Sequence, residues 1–187
     1  MDSSKQETLN EIREMFDKFG REPYYGEDVS QFQHAAQAAE LAKRDGYDTE
    51  VQISAFLHDI GHMLPVNDPS ELMDSYGRID HESAAANWLR ERGFSDKTGI
   101  LIENHVNAKR YLTYRYPEYL AALSHASLQT LNFQGGPMQQ EEASEFEKNP
   151  YFDLIIRMRR WDEAAKMLDY KTPEMDHYLE LINECLN

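Results

Sequence analysis

TEVQISAFLHDIGH, residues 49–62, carries the reading of the whole chain. Thr49-Glu50-Val51-Gln52 is a capping-box pattern, in which Thr49 and Gln52 satisfy each other's free backbone donors and open a helix. From Val51 to Ile60 that helix is apolar almost all round, which predicts burial at the centre of a fold. It nevertheless ends in His58-Asp59. A charged Asp at the end of a buried helix is costly unless a cation or hydrogen bonds compensate it. A metal ion provides that compensation directly.

Outward from this helix nearly every segment repeats at the helical period, with Gly and Pro falling between segments. Leu9, Ile12 and Phe16 form an apolar stripe on a helix expected over 5–18, and a second helix runs from Gln31 to Lys43 and stops before Gly46. Residues 61–80, with Gly61, Pro65, Pro69 and Gly77, read as a long surface loop with one turn of helix. Helices are predicted over 81–92, over 96–111 and from Pro117 onward. Others are predicted over 139–148, over 150–168 with Asn149 as cap, and over 173–185. Gln134-Gly135-Gly136-Pro137 is a break with room for close backbone approach. No segment alternates at period two over strand length, so the expected architecture is all-α, a bundle of six to eight helices forming one domain over 1–187.

Composition narrows the function. A chain of 187 residues is long enough to bury its own core. Its 19 Lys and Arg against 34 Asp and Glu give a net charge of −15, which argues against broad binding to nucleic acid or an anionic membrane. A small anion drawn into a locally basic pocket stays compatible with that charge, and a metal can supply the missing positive charge. The single cysteine, Cys185, excludes a disulfide scaffold and makes a reducing cytoplasm the expected compartment. No apolar run approaches the roughly 20 residues of a bilayer span. The charged N-terminal stretch lacks the apolar core of a signal peptide. The acidic surface suits a monomer or weak dimer.

The histidines supply the chemistry. His34 precedes His58 by 24 residues, His81 follows Asp59 by 22, and His105 follows His81 by 24. Each interval is one helix plus one connection, so successive helices can present these groups to one point. Asp162 follows in MRRWDEAAK, at the i,i+4 spacing to Lys166 that an ordinary surface ion pair would also show. One metal could take His34, His58, Asp59 and Asp162, and a second could take His81 and His105 while sharing Asp59. Imidazole and carboxylate together suit iron, zinc or manganese better than calcium. Two facing ions with open positions suit activation of water or of oxygen. His125 and His177 fall outside this pattern.

The pattern His34 … His58-Asp59 … Asp162 resembles the metal-binding signature of the HD-domain superfamily, which is all-helical, and the added His81 and His105 resemble its dinuclear branch. Four further stretches sharpen the likeness: YYGEDVSQFQH at 24–34, FLHDIGH at 56–62, IENHVNAKRYL at 102–112 and FQGGPM at 133–138. With them the chain resembles the mixed-valent diiron oxygenases that cleave organophosphonates, typified by 2-amino-1-hydroxyethylphosphonate dioxygenase. Myo-inositol oxygenase looks like a more distant relative.

The resemblance implies two irons, Fe(II)/Fe(III), on the ligands named above, and O2-dependent cleavage of a carbon–phosphorus bond. The substrate would be a 1-hydroxy-2-(amino or trimethylamino)ethylphosphonate, giving phosphate with glycine or glycine betaine; family habit favours the free amine. Tyr24 would occupy the vacant iron position before substrate arrives, and Glu27 would contact the amino end. His62, Lys109, Ser127 and Arg159 match the phosphonate-binding positions. Lys109 lies at i+4 from His105 and Arg159 three residues before Asp162, so each shares a helix face with a ligand. Arg110 and Arg160 face elsewhere. Tyr25 and Asp28 add an aromatic face and a charge suited to a quaternary ammonium, although Asp28 could equally cap the next helix. Two rivals use the same ligands: a metal-dependent phosphohydrolase acting on a nucleotide or other phosphate ester, and a non-catalytic regulatory module with a structural metal.

Overall fold

A computed structural model describes residues 3–186. Among them are eleven α-helices and two short 3-10 turns, with no strand beyond two isolated bridges, Pro23–Ser30 and Leu72–Arg78. The helices are α1 Ser3–Phe19, α2 Gln31–Arg44, α3 Thr49–Leu57, α4 His81–Arg90, α5 Asp96–Glu103 and α6 His105–Arg115. They continue as α7 Pro117–Ala122, α8 His125–Phe133, α9 Gln140–Phe146, α10 Phe152–Ala164 and α11 Met175–Cys185. The all-α expectation holds, and the expected six to eight helices are exceeded because two runs divide. Residues 96–111 break at Asn104, and the run from Pro117 ends at Ala122 before α8 begins.

α3 occupies the centre as expected, with Val51, Ile53, Ala55, Phe56 and Leu57 all buried, packed on α2 along its length and on α5 and α11. Phe56 stacks on Tyr178 of α11 at 4.3 Å between centroids and lies 4.9 Å from Phe16 of α1, so one aromatic cluster ties α1, α3 and α11 together. Truncating such a ring to Ala typically costs about 3–5 kcal/mol.

Four local expectations need correcting. The cap of α3 is Asp48, whose carboxylate accepts the Val51 N–H at 2.9 Å, while Gln52 donates to the Tyr47 carbonyl. A charged acceptor at a helix N-terminus outcompetes the Thr49 hydroxyl because it also meets the macrodipole. Asp28 does not cap α2; Ser30 does, in a reciprocal capping box with Gln33. Asn149 caps a turn rather than a helix, accepting the Tyr151 N–H, and α10 starts at Phe152. Residues 61–80 are also less superficial than a surface loop, since Met73 is buried and two 3-10 turns, Ile60–Met63 and Pro69–Glu71, lie at its start and middle.

Candidate metal centre and the cavity beside it

Four helices deliver the histidines. His34 comes from the first turns of α2, His58 caps the C-terminus of α3, and His81 and His105 open α4 and α6. Asp59 follows His58 directly, and Asp162 projects from α10; all six side chains are buried. Gly61 lets α4 approach, since a Cβ there would lie 1.9 Å from the His81 carbonyl oxygen. The break at Asn104 begins a new helix at His105 and turns that ring inward.

The hydrogen bonds fix the tautomers. Each ring donates its Nδ1–H to a backbone carbonyl: His34 to Ala165 at 3.0 Å, His58 to Ala55 at 2.7 Å, His81 to Arg78 at 3.1 Å and His105 to Ile102 at 2.7 Å. A carbonyl only accepts, so in the neutral rings every Nε2 is a bare lone pair. Yet Nε2 of His34 lies 3.2 Å from that of His58, and Nε2 of His81 lies 3.1 Å from that of His105. Two acceptors hold such a distance only with a proton or a metal between them.

Asp59 stands between the two pairs. Its Oδ2 lies 3.6 and 3.4 Å from His34 and His58, and its Oδ1 lies 3.3 and 3.4 Å from His81 and His105. Asp162 adds Oδ1 to the first pair, 3.4 Å from His34 and 3.8 Å from His58. Burial alone would raise both carboxyl groups; the facing His58 and, for Asp162, the Arg159 guanidinium outweigh it and hold them well below the usual range. Burial and the neighbouring His58 push His34 down to about 4, while Asp59 and Asp162 overcome burial and raise His58. Without an ion, a proton on His58 takes the place of a cation. Ligand atoms within 4.8 Å of one another form the sets His34–His58–Asp59, Asp59–His81–His105 and His58–His105–Asp162. Imidazoles and carboxylates without a thiolate fit iron, manganese or zinc. All six residues named from the sequence meet here.

A cavity of about 50 Å³ opens beside this cluster. Of the substrate-contact residues named from the sequence, Tyr24, Tyr25, Glu27, His62, Lys109, Ser127 and Arg159 line it. Asp28 does not: it is exposed and outside the lining. Tyr24 stacks on His34 at 3.7 Å and donates its hydroxyl to Asp59 at 2.8 Å; burial and Asp59 raise its pKa, so the phenol stays protonated. His62 accepts the Arg78 N–H on Nδ1 at 3.0 Å, which leaves the proton on Nε2 as a donor. Burial and the adjoining His81 keep that ring neutral. Gly77, at φ +86°, makes room, because a Cβ there would lie 2.5 Å from His62 Nδ1.

Lys109 is buried and donates to Thr130 at 2.9 Å; burial and Arg159 bring its pKa down to about 7. Arg159 is ion-paired with Asp162 and donates to the Tyr119 hydroxyl at 3.0 Å. Arg110 binds Glu142 and the Gly136 carbonyl, anchoring the Gly-Gly turn, and Arg160 is exposed. Lys166 does not pair with Asp162 but reaches Glu27 at 2.7 Å. Sequence reasoning missed seven lining residues: Tyr76, Thr130, Gln134 and Lys166, which carry polar groups, and Met73, Val106 and Ala126, which do not. Ser127, Thr130 and Gln134 follow one another at i, i+3 and i+7, a helical stripe that was open to view.

The outcome for Tyr24→Phe follows from this geometry. Loss of the hydroxyl removes the hydrogen bond to Asp59 and any hold on a neighbouring metal, so both the optical spectrum of the metal-loaded protein and its steady-state kinetics change. Unchanged spectrum and kinetics would remove Tyr24 from the centre.

An all-helical bundle built around a His-Asp pair defines the class. The family model described as "HD domain" matches residues 31–144, and the chain belongs to the HD-domain family. Among its relatives is [1-hydroxy-2-(trimethylamino)ethyl]phosphonate dioxygenase (glycine-betaine-forming) of Leisingera caerulea, 40% identical over 92% of this chain and 87% of that protein. Hydroxymethylphosphonate dioxygenase of Gimesia maris is 36% identical over 96% and 89% respectively. An uncharacterized protein of Acanthamoeba polyphaga mimivirus is 40% identical over 97% and 83%. Among the described residues no helix is long and apolar enough to cross a membrane.

Proposed function

We propose that this protein is a diiron oxygenase that uses O2 to cleave the C–P bond of a 1-hydroxyphosphonate. One O2 is consumed, the carbon bearing the hydroxyl leaves as a carboxylic acid, and the phosphonate leaves as phosphate. The observation that carries this reading is the pair of bare imidazole sets sharing Asp59 beside a cavity furnished with cationic side chains. The dioxygenase names of the Leisingera caerulea and Gimesia maris relatives support it.

In this reading His34, His58, Asp59 and Asp162 hold one iron, and Asp59, His81 and His105 hold the other. When bound, the irons supply O2 activation and a Lewis-acid anchor for the substrate oxygens. The chain supplies binding and orientation. Lys109, Arg159 and Lys166 balance Glu27, Asp59 and Asp162 among the lining groups, so the charge of the metals is left to attract an anion. Lys109 and Arg159, with the Nε2–H of His62 and the hydroxyl of Ser127, orient the phosphonate. Tyr24 covers the centre until substrate displaces it. Glu27 and Tyr25 are the groups a substrate tail would meet: a 2-amino or 2-trimethylamino group would give glycine or glycine betaine, and no tail would give formate. A reducing cytoplasm fits the lone Cys185.

The test is phosphate release by iron(II)-loaded protein from these hydroxyphosphonates, with and without O2. Release that requires O2 is expected. Hydrolysis of a generic phosphate ester, with no O2-dependent release, would favour the phosphohydrolase instead.

Lys109→Ala raises KM roughly 10- to 100-fold, the worth of a charge-assisted hydrogen bond, with a smaller effect on kcat. The sign of the pH dependence follows from a pKa of about 7. Below it Lys109 is an ammonium and binds the dianion; as pH rises through it the charge is lost, so kcat/KM falls on the alkaline side. That limb is absent in Lys109→Ala.

A further inference from the structure

We propose that Lys166 determines specificity, selecting a 1-hydroxyphosphonate without a cationic tail. The inference rests on the C–P-cleaving reading and names its substrate class. Glu27 is the lining carboxylate that stands apart from the imidazoles, and therefore the natural receptor for an ammonium. Its Oε1 already accepts from Lys166 Nζ at 2.7 Å, with the two side chains only 19% and 18% exposed.

Lys166 is a built position rather than a wandering surface lysine. The carbonyl before it, Ala165, accepts the Nδ1–H of His34 at 3.0 Å. The residue after it, Met167, is clamped to Gln37 twice: its N–H donates to Oε1 at 2.9 Å and its carbonyl accepts from Nε2 at 3.0 Å. Both neighbours are thus tied to α2, and the ammonium is delivered across the cavity to the loop bearing Glu27. It lies 5.9 Å from the Tyr24 ring centroid, close to the centre.

A cationic tail entering this end meets a like charge where it needs an anion, and like-charge contact is an effective means of rejecting a wrong partner. The aromatic alternative is weak: of the three lining tyrosines, Tyr25 leans on His62 at 4.7 Å and on Tyr24 at 5.7 Å and Tyr24 stacks on His34, so an aromatic receptor would rest on Tyr76 alone. A volume of about 50 Å³, enough for a few waters, also suits a short substrate.

The experiment compares kcat/KM, by phosphate release and O2 uptake, for hydroxymethylphosphonate, 2-amino-1-hydroxyethylphosphonate and its trimethylated analogue, using the iron-loaded full chain and Lys166→Met. In the wild type hydroxymethylphosphonate, which has no tail, is preferred over each cationic substrate by at least ~10-fold. Lys166→Met shrinks that preference by about the same factor, through KM for the cationic substrates. A smaller wild-type preference overturns the proposal, and so does a preference that Lys166→Met leaves within ~2-fold. If Lys166→Met fails to fold, Lys166→Gln, which removes the charge and keeps a polar end, takes its place and is judged by the same ratio. Silence on all three substrates with O2 present is a different result: it overturns the C–P-cleaving reading itself, and the proposal with it.

Discussion

Asp59→Asn will strip the centre of its capacity for two ions and lower turnover at least ~100-fold, because even outer partners of metal ligands typically cost 10–100-fold. The argument rests on how Asp59 divides its oxygens. Oδ2 faces His34 and His58 while Oδ1 faces His81 and His105, so a single carboxylate serves both sets. Asn keeps the volume but turns one of those oxygens into an NH2 group that can only donate. One set keeps its acceptor and the other gains donors aimed at its ion. Metal analysis after loading with iron(II) should therefore give two ions per chain for the wild type and one or fewer for Asp59→Asn. A second reading comes from stability: an ion that binds only the folded chain raises Tm by mass action, and most of that rise is lost in the variant. Full metal content with full turnover in Asp59→Asn would mean that Asp59 does not join two ions.

The parts of this centre that the sequence revealed share a physical property. His34, the His58-Asp59 pair, His81 and His105 sit one helix apart, and α3 is so apolar that a terminal His-Asp pair needs an explanation. Periodicity thus reports both the bundle and the convergence of its ligands. The count of helices was less legible because a helix can end without Gly or Pro. At Asn104 the backbone leaves the helical region, at φ −103° and ψ 2°, and the side chain donates back to the Ile100 carbonyl at 2.9 Å, so a continuous apolar pattern conceals two helices. The N-cap of α3 was misassigned by one residue because Thr49 and Asp48 are both good caps, and the choice depends on which reaches the Val51 N–H. Lys166 was hidden by a local rule: four residues from Asp162, it matches an ordinary i,i+4 pair, but α10 ends at Ala164 and the chain turns it to Glu27 instead. Asp28 illustrates the reverse, a plausible charge near the substrate loop that the backbone turns to solvent. Partners distant in sequence are what periodicity cannot supply.

Arg159→Leu should be the most damaging change outside the ligands themselves, and its cost should depend on metal. Arg159 is buried against two carboxylates and a phenol: it is ion-paired with Asp162, lies 3.2 Å from Glu163 and donates to Tyr119 at 3.0 Å. Burial works against its charge, yet Asp162 foremost among these neighbours raises its pKa well above the ordinary value. Removing one partner of a buried pair typically costs about 3–5 kcal/mol, because the other charge is left uncompensated. In the metal-free protein Asp162 is that charge, and thermal unfolding should show the full loss. An ion held by Asp162 Oδ1 supplies the missing positive charge, so metal-loaded Arg159→Leu should lose much less stability than the metal-free form. Activity separates two roles for the same guanidinium. If Arg159 grips the phosphonate, Arg159→Lys restores stability and metal content but leaves KM raised, because a point charge cannot reproduce the planar fork. If it only steadies Asp162, Arg159→Lys recovers KM together with metal content. A stability loss equal with and without metal would mean that no ion sits at Asp162, and the first half of the centre would have to be redrawn around His34, His58 and Asp59.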